Sequence, residues 1–314
     1  MKNKIITLLG ASGTIGRNLV NSLIKKNFRI IATTRNPYQN AFLKTQATPG
    51  ALELIEWDAK NFDKIEEAIK NSDIVINLIG ILYETRKQKF DQIHAGIPQA
   101  ISKLCSKANV EKFITVSALG SSPDSKSAYQ RSKFKGEQNA LNNFERTIIL
   151  RPSVIESPTS NFSRLFARLS FLPIFIIPNL TYRIQPILVS DVVSAIIKII
   201  EEKNNFKKIY EIGGPKIFSM KEMITSIMRI IGKKRFIVEM PMPLAKIQSS
   251  ITDLLPFPPI LTRDQCEILS EGDNVVSNNH LTLKDLGIAP SDVEKEMASY
   301  LYMYREGGQF SKIK

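Results

Sequence analysis

A glycine-rich turn near the start of the chain constrains its fold most. An apolar run over residues 5–9 leads into Gly10, Gly13 and Gly16, and a helix-like pattern follows. In such a turn the first glycine allows a sharp bend, the second lets the backbone approach a pyrophosphate, and the third lets the helix pack on the sheet. A tight turn can use three glycines without a ligand, but the strand before it and the helix after it favour a dinucleotide site. The predicted phosphate-binding residues are Gly10, Ser12, Gly13, Thr14, Ile15 and Gly16.

Strand-like and helix-like segments alternate through the first half of the chain. This alternation predicts an α/β fold, a Rossmann-type doubly wound parallel sheet with a smaller C-terminal substrate lobe. Strands are expected at 29–33, 52–56, 73–78, 113–116, 147–150 and 208–212, and helices at 90–107, 128–142 and from Ser219 to about Ile231. We expect a nucleotide-binding domain over 1–155, with the further strand near 208–212.

Beyond residue 155 the pattern loosens into proline-interrupted apolar pieces. Since prolines interrupt regular elements, this change predicts the smaller lobe over 156–207 and 213–314. Within it, the window 157–190 carries Arg164, Arg168 and Arg183 and no acidic residue. Two interpretations fit the window: a lobe with a few solvated arginines, or a surface that meets anionic lipid or another subunit.

Composition excludes several classes of protein. The net charge is +13, yet no Arg/Lys run or basic-aromatic stripe indicates nucleic-acid binding. The two cysteines and two histidines have no metal-ligand spacing, so we expect no metal, and we interpret His94 as an ordinary packed or surface residue. The chain passes from Met1 almost directly into the first strand, which predicts no signal or transit peptide and a cytoplasmic protein.

The end of the second predicted strand bears on the choice of cofactor. An NAD-selective site places an acid there, whereas this chain has Arg35 and no acid. A guanidinium makes charge-assisted bonds with a 2′-phosphate, so NADP(H) is favoured over NAD(H). Alternatively, Arg35 is a solvated loop residue. Asp58, after the third strand, is expected either to accept a bond from the adenine amine or to cap the next helix.

Tyr129 and Lys133 form a Y-x-x-x-K pair on one face of a predicted helix. A neighbouring ammonium stabilises a phenolate and can also hold the nicotinamide ribose, so the pair suits proton exchange beside a nicotinamide. Ser117, at the end of the preceding strand, would orient a substrate carbonyl. Tyr83 and Lys87 have the same spacing by chance, but they lie in a loop. The predicted catalytic residues are therefore Ser117, Tyr129 and Lys133.

These motifs, taken in order, resemble the short-chain dehydrogenase/reductase superfamily in its extended and atypical forms. The matching positions are residues 10–16, 58, 77–80, 117, 129, 133 and 151–153. More closely, segments 77–82, 116–120, 150–153 and 258–265 resemble the alpha-subcomplex subunit nine family of respiratory complex I and its bacterial relatives. The resemblance implies that the cofactor site also includes Leu78, Ile79, Gly80, Pro152 and Ser153.

The resemblance further implies an NADPH that is kept for structure, and a protein that docks peripherally at the inner membrane beside complex I or quinone-biosynthesis proteins. Three residues depart from the superfamily pattern: Ala118 stands where some relatives have a catalytic serine, Glu156 where a glycine is common, and His94 where an asparagine is common. We thus consider three functions: an NADP(H)-binding accessory or ubiquinone-linked protein, an active NADP-dependent reductase or epimerase, and a non-catalytic redox-sensing regulator.

Overall fold

A parallel β-sheet forms the centre of the protein. The computed structural model describes residues 4–160, 162–203, 206–253, 259–277 and 279–310. The strands within these ranges are β1 (Ile5–Leu9), β2 (Arg29–Thr34), β3 (Leu52–Glu56), β4 (Ile74–Asn77), β5 (Lys112–Val116), β6 (Thr147–Pro152), β7 (Ile155–Glu156), β8 (Ile174–Pro178), β9 (Arg183–Ile184), β10 (Ile187–Leu188), β11 (Lys208–Ile212), β12 (Phe218–Ser219) and β13 (Phe236–Met240).

Seven of these strands form the main sheet in the order β3-β2-β1-β4-β5-β6-β11, and all its pairings are parallel. The strand order reverses between β1 and β4, the place where doubly wound sheets bind ligands beyond their carboxyl ends. The remaining strands make three pairs, β7 with β10, β9 with β12, and β8 with β13. The predicted Rossmann-type fold is therefore confirmed.

Helices cover both faces of the sheet. They are α1 (Thr14–Lys25), α2 (Asp63–Lys70), α3 (Ile97–Lys107), α4 (Ala128–Asn143), α5 (Phe162–Leu169), α6 (Val189–Glu201), α7 (Met220–Ile230), α8 (Met242–Thr252), α9 (Arg263–Glu271) and α10 (Val293–Leu301). None of the helices within the described ranges is long and apolar enough to cross a membrane.

The alternation of side chains along β1 explains this layering. Ile6 and Leu8 face a core shared with α1 and α6, whereas Leu9 faces the core of α2 and α3. Since successive side chains of a strand point to opposite faces, a parallel strand covered on both faces is apolar at most positions. A third core lies among α5, α7 and α10, around Phe166 and Met297.

The helix expected over 90–107 is not uniform. Its first turn, Asp91–Gly96, is π-helical, and α3 proper begins at Ile97. Pro98 explains the difference, because it has no N–H to donate to the carbonyl of His94 four residues earlier. That carbonyl faces α4, where a Cβ on Gly136 would lie only 1.9 Å from the His94 oxygen. Gly136 thus permits the close approach of the two helices.

Candidate functional site

The glycine-rich turn joins β1 to α1 and leaves backbone donors free for a ligand. Gly10 has φ +84°, which favours glycine, and its carbonyl accepts the N–H of Gly13 at 3.2 Å. Gly13 is the N-cap of α1 without a side-chain cap. A Cβ on Gly16 would lie 2.6 Å from the carbonyl oxygens of Gly10 and Ala11. The turn therefore fits a phosphate group at a helix N-terminus.

A second turn, after β4, faces the first. The buried Asn77 donates to the hydroxyl of Thr115 at 3.0 Å, and its side-chain oxygen accepts the N–H of Ile79 at 3.2 Å. This bond fixes the turn that continues through Gly80. A Cβ on Gly80 would lie 3.1 Å from the Lys133 ammonium. Glycine at this position therefore leaves room for the lysine below the turn.

Tyr129 lies in the first turn of α4 against an aromatic cluster. Its ring meets His94 edge-on with centroids 5.1 Å apart, and Phe90 lies 5.7 Å away. Burial, and then the charge of Asp264, raise the pKa of Tyr129 to about 12. The sequence led us to expect that Lys133 would lower this pKa. The opposite direction arises because desolvation of the phenol outweighs the lysine, whose Nζ lies 5.8 Å from the ring centroid.

Lys133 is buried beneath the same cluster. Burial lowers its pKa to about 8, and Glu137 opposes part of this shift. Its Nζ donates to the carbonyl of Val116 at 3.4 Å. The ammonium therefore lies between the carbonyl of Val116 and the turn at Gly80.

His94 is part of the site's support, a role that the sequence did not indicate. Burial, followed by the charge of Lys133, lowers the pKa of His94 to about 2, so the ring is neutral. Its Nε2 accepts the N–H of Ile81 at 3.1 Å, which leaves the proton on Nδ1, 2.9 Å from the Ser132 hydroxyl. The ring thus ties the turn after β4 to α4.

Ser117 directly follows β5, and its hydroxyl lies 3.1 Å from that of Ser121. Ser121 in turn donates to the carbonyl of Ala118 at 2.7 Å. The Ser117 backbone N–H donates to the Leu150 carbonyl at 2.7 Å, which fixes its position beyond the sheet. Two hydroxyls, Ser117 and Ser121, are therefore held together where the sequence predicted one.

Two carboxylates of α9 hold the start of α4. Asp264 accepts the hydroxyl of Ser127 at 2.7 Å and the backbone N–H groups of Ala128 and Tyr129 at 2.6 and 3.2 Å. Glu271 accepts the hydroxyl of Ser125 and the N–H of Lys126. Carboxylates at a helix N-terminus satisfy its free N–H groups and its partial positive charge. Asp264 thus gives the segment 258–265 a structural role at the start of α4, although Pro258 itself lies outside the described residues.

A single cavity of about 1100 Å³ joins most of these residues. Its volume is slightly above the roughly 300–1,000 Å³ typical of ligand pockets. The predicted site residues that line it are Gly10, Gly13, Thr14, Ile15, Gly16, Leu78, Gly80, Ser117, Tyr129, Pro152 and Ser153. Ile79 and Lys133 line a smaller cavity directly behind, together with Ser117 and His94.

Three predicted cofactor residues, Ser12, Arg35 and Asp58, lie outside the cavity wall. Arg35 is exposed directly after β2. The carbonyl of Ser12 accepts the guanidinium Nε of Arg17 at 2.7 Å, and that guanidinium stacks over Phe42. Asp58 is exposed and accepts the N–H of Lys60 at 3.1 Å. It does not cap the next helix, whose N-cap is Phe62, so that alternative is wrong.

Glu156, in β7 near the cavity, is fully buried. Its Oε2 accepts hydroxyl groups from Ser160, Ser163 and Tyr300 at 3.1, 2.7 and 3.0 Å. Within the described part of the chain, its Oε1 has no hydrogen-bond partner. Burial raises the pKa of this carboxyl more than its hydroxyl partners lower it. Glu156, which stands where a glycine is common in the superfamily that the sequence resembles, is therefore a buried acid surrounded by hydroxyl groups.

Comparison with known proteins finds a matching family model and similar chains. The model of the NAD-dependent epimerase/dehydratase family matches residues 6–213. The chain is 30% identical over 306 residues to the mitochondrial NADH-ubiquinone oxidoreductase 40 kDa subunit of Neurospora crassa, covering 97% of this chain and 80% of that protein. It is 31% identical over 306 residues to the mitochondrial NADH dehydrogenase (ubiquinone) 1 alpha subcomplex subunit 9 of Mus musculus, with 96% and 80% covered.

Solved structures share the architecture. An Escherichia coli NADPH-dependent quinone oxidoreductase, complexed with NADPH, superposes with a TM-score of 0.72 at 15% identity. The match covers 94% of this chain and 99% of that one. At this identity the likeness establishes the fold alone.

Proposed function

We propose that this chain, which belongs to the NAD-dependent epimerase/dehydratase family, binds NADP(H) and acts as an accessory protein of respiratory complex I or of a ubiquinone-linked process. The observation that carries the proposal is the extent of the similarity to complex I subunits. It covers nearly the whole chain, including the α9 segment that holds α4, and not only the glycine-rich turn. A protein that shared only dinucleotide binding with these subunits would not need to resemble them in its C-terminal half.

The cofactor would be held between the two turns at the carboxyl end of the sheet. The free N–H groups at the start of α1 suit its pyrophosphate, and Lys133 suits the nicotinamide ribose. When bound, the nicotinamide supplies hydride chemistry. The residues of the chain position it and exclude water.

Arg35 supports a preference for NADP(H), since no acid stands at the end of β2. Arg17 adds a second cation beside the glycine-rich turn. Removal of a charge-assisted hydrogen bond costs about 1.5–3 kcal/mol, so Arg35→Ser should weaken NADPH binding roughly 10–150-fold. NADH affinity should change little. Calorimetric titration of both nucleotides tests this, and equal losses for the two would contradict a 2′-phosphate contact.

A second candidate function, an active reductase or epimerase, is favoured by the convergence of Ser117 and Tyr129 on one cavity wall with Lys133 behind it. With its pKa near 12, Tyr129 holds its proton at neutral pH and can donate it to a substrate oxygen. Tyr129→Phe should then abolish turnover and leave nucleotide affinity nearly unchanged. A substrate that both proteins convert equally would exclude this function.

We also propose contact with a membrane surface. The predicted window 157–190 contributes four exposed apolar side chains, and β13, α8 and Ile260 add more. We call this set the apolar rim: Phe171, Leu172, Ile174, Ile176, Phe236, Val238, Leu244, Ile247, Ile251 and Ile260. The register of β8 and β13 places Ile174 beside Phe236 and Ile176 beside Val238. Lys233, Lys234 and Arg235 immediately precede β13, so cations border the apolar surface.

Co-sedimentation with phosphatidylglycerol vesicles tests this contact. The double variant Phe171→Glu/Phe236→Glu places two carboxylates on the apolar rim and should therefore remain in the supernatant. Both phenylalanines are largely exposed, so their replacement leaves the core intact. The control Tyr38→Glu changes an exposed aromatic residue elsewhere and should sediment like the wild type. Equal sedimentation of all three proteins, or of none, would contradict the proposal.

A further inference from the structure

The cavity has two chemically different walls. One is the polar edge of the main sheet, where the glycine-rich turn and Tyr129 lie. The other, which we call the distal wall, comes from α5, β8, α9 and the segment before α9. Its apolar residues are Phe162, Leu165, Phe166, Leu169, Leu172, Ile174, Phe175, Ile176, Ile177, Ile260, Leu261, Ile268 and Leu269.

No charged side chain lines the cavity within the described ranges. The polar groups near the distal wall are neutral, and they include Gln248, Thr252 and Gln265. A phosphate or carboxylate group placed against the distal wall, away from the helix N-terminus at the glycine-rich turn, would lose its water without gaining a cation, at a cost of several kcal/mol. The distal wall therefore disfavours a nucleoside diphosphate or any other anionic substrate.

The distal wall continues onto the surface of the protein. Four of its residues, Leu172, Ile174, Ile176 and Ile260, also belong to the apolar rim and are 39–67% exposed. On α8, Gln248 and Thr252 line the cavity, while Ile247 and Ile251, each one position earlier, are exposed. One apolar surface thus runs from beside Tyr129 to the outside of the protein.

From this continuity we propose that the distal wall binds the long apolar chain of an uncharged lipid, whose small polar head lies beside Ser117 and Tyr129. The chain extends along β8 and leaves through the apolar rim, so the molecule can pass between the cavity and a bilayer without crossing water. The inference rests on the proposed dinucleotide site, because it assigns the head to the place that faces the nicotinamide.

The test uses NADPH-loaded protein and displacement of the uncharged fluorophore 1-aminoanthracene by hexanol, octanol and decanol. Burial of a methylene contributes about 0.8 kcal/mol, which is a factor of about 4 in affinity. Each step of two carbons should therefore strengthen binding about 10-fold or more. Affinity that does not change with chain length would overturn the proposal, as would stronger displacement by UDP-glucose than by decanol.

Two variants locate the site. Ile176→Glu places a carboxylate at the mouth of the cavity and should weaken decanol binding at least about 10-fold, the value of two methylenes. Its control Ile217→Glu alters an isoleucine that is 44% exposed and does not line the cavity, and should bind decanol like the wild type. Ile268→Trp, which fills the distal wall, should reduce decanol affinity more than hexanol affinity. Equal affinities in Ile176→Glu and Ile217→Glu would overturn the proposal.

NADPH affinity, measured on the same preparations, separates this inference from the proposed function. If the protein binds NADPH but no alcohol displaces the fluorophore, the lipid site is refuted and the proposed function stands. If the protein does not bind NADPH, the proposed function is refuted, and so is the lipid site that rests on it.

Discussion

The two glycines at the start of α1 allow a sharp test, because the structure gives them different surroundings. A Cβ on Gly13 would meet only the Gly10 carbonyl, at 3.5 Å, which is ordinary contact. The backbone of Gly13, with φ −74°, suits alanine. A Cβ on Gly16 would instead lie 2.6 Å from two backbone oxygens. Gly13→Ala should therefore spare the fold and obstruct a pyrophosphate, whereas Gly16→Ala should strain the fold itself.

The magnitudes follow from these contacts. Loss of conformational freedom in the unfolded chain stabilises Gly13→Ala by about 0.4–1 kcal/mol, and the poorer N-cap costs a similar amount. Its melting temperature should stay within about 2–4 °C of the wild type. A methyl group against the pyrophosphate should cost about 1–3 kcal/mol, or roughly 5–150-fold in NADPH affinity. The substitution Gly16→Ala should lower the free energy of unfolding by a similar amount.

Thermal melting without nucleotide, followed by calorimetric titration with NADPH, separates the two effects. Gly13→Ala is expected to melt like the wild type and bind NADPH weakly. Wild-type affinity in Gly13→Ala would refute the placement of the pyrophosphate at this turn. A large loss of stability in the same variant would show that the fold has no room for a Cβ at position 13.

Three other predictions concern buried ionisable groups. Because the pKa of Lys133 is about 8, its ammonium is lost above that pH, so NADPH affinity should fall there in the wild type and not in Lys133→Met. Burial raises the folded-state pKa of Glu156, so its contribution to stability is lost as the pH rises through that pKa. The melting temperature of Glu156→Gln relative to the wild type should therefore increase as the pH rises above the ordinary range of a carboxyl pKa; a constant difference would contradict this. Arg151→Met leaves the buried carboxylates of Glu137 and Glu211 without their shared partner and should cost about 3–5 kcal/mol in urea unfolding. A loss below about 1 kcal/mol would be typical of a surface pair instead.

Local sequence patterns were enough to predict the strands of the main sheet. The strands expected at 52–56 and 208–212 have those bounds in the structure, and the helix expected from Ser219 begins there, with a capping box between Ser219 and Glu222. These elements are readable because turns and caps are set by neighbouring residues. The pairing of β8 with β13 was not predicted, because it joins segments about sixty residues apart whose hydrogen bonds leave no local signal.

The candidate site was predictable where one element carries the motif and not where distant elements meet. Tyr129 and Lys133 share α4, so their spacing revealed them. His94 joins the cluster because the π-helical turn before α3 packs on α4 at Gly136, and Asp264 reaches Tyr129 from α9. The pKa of Tyr129 is raised, whereas the sequence predicted that Lys133 would lower it, because the spacing of two residues carries no information about desolvation.

Identification of the nucleotide that accompanies the protein when it is purified without added cofactor is the most direct test of dinucleotide binding. Mass spectrometry of the material released on denaturation should find NADPH or NADP⁺ in about one equivalent. Added quinone should leave the reduced form largely unoxidised if the cofactor is held for structure. Recovery of no dinucleotide, together with no binding of NADPH or NADH by the purified protein, would contradict the account.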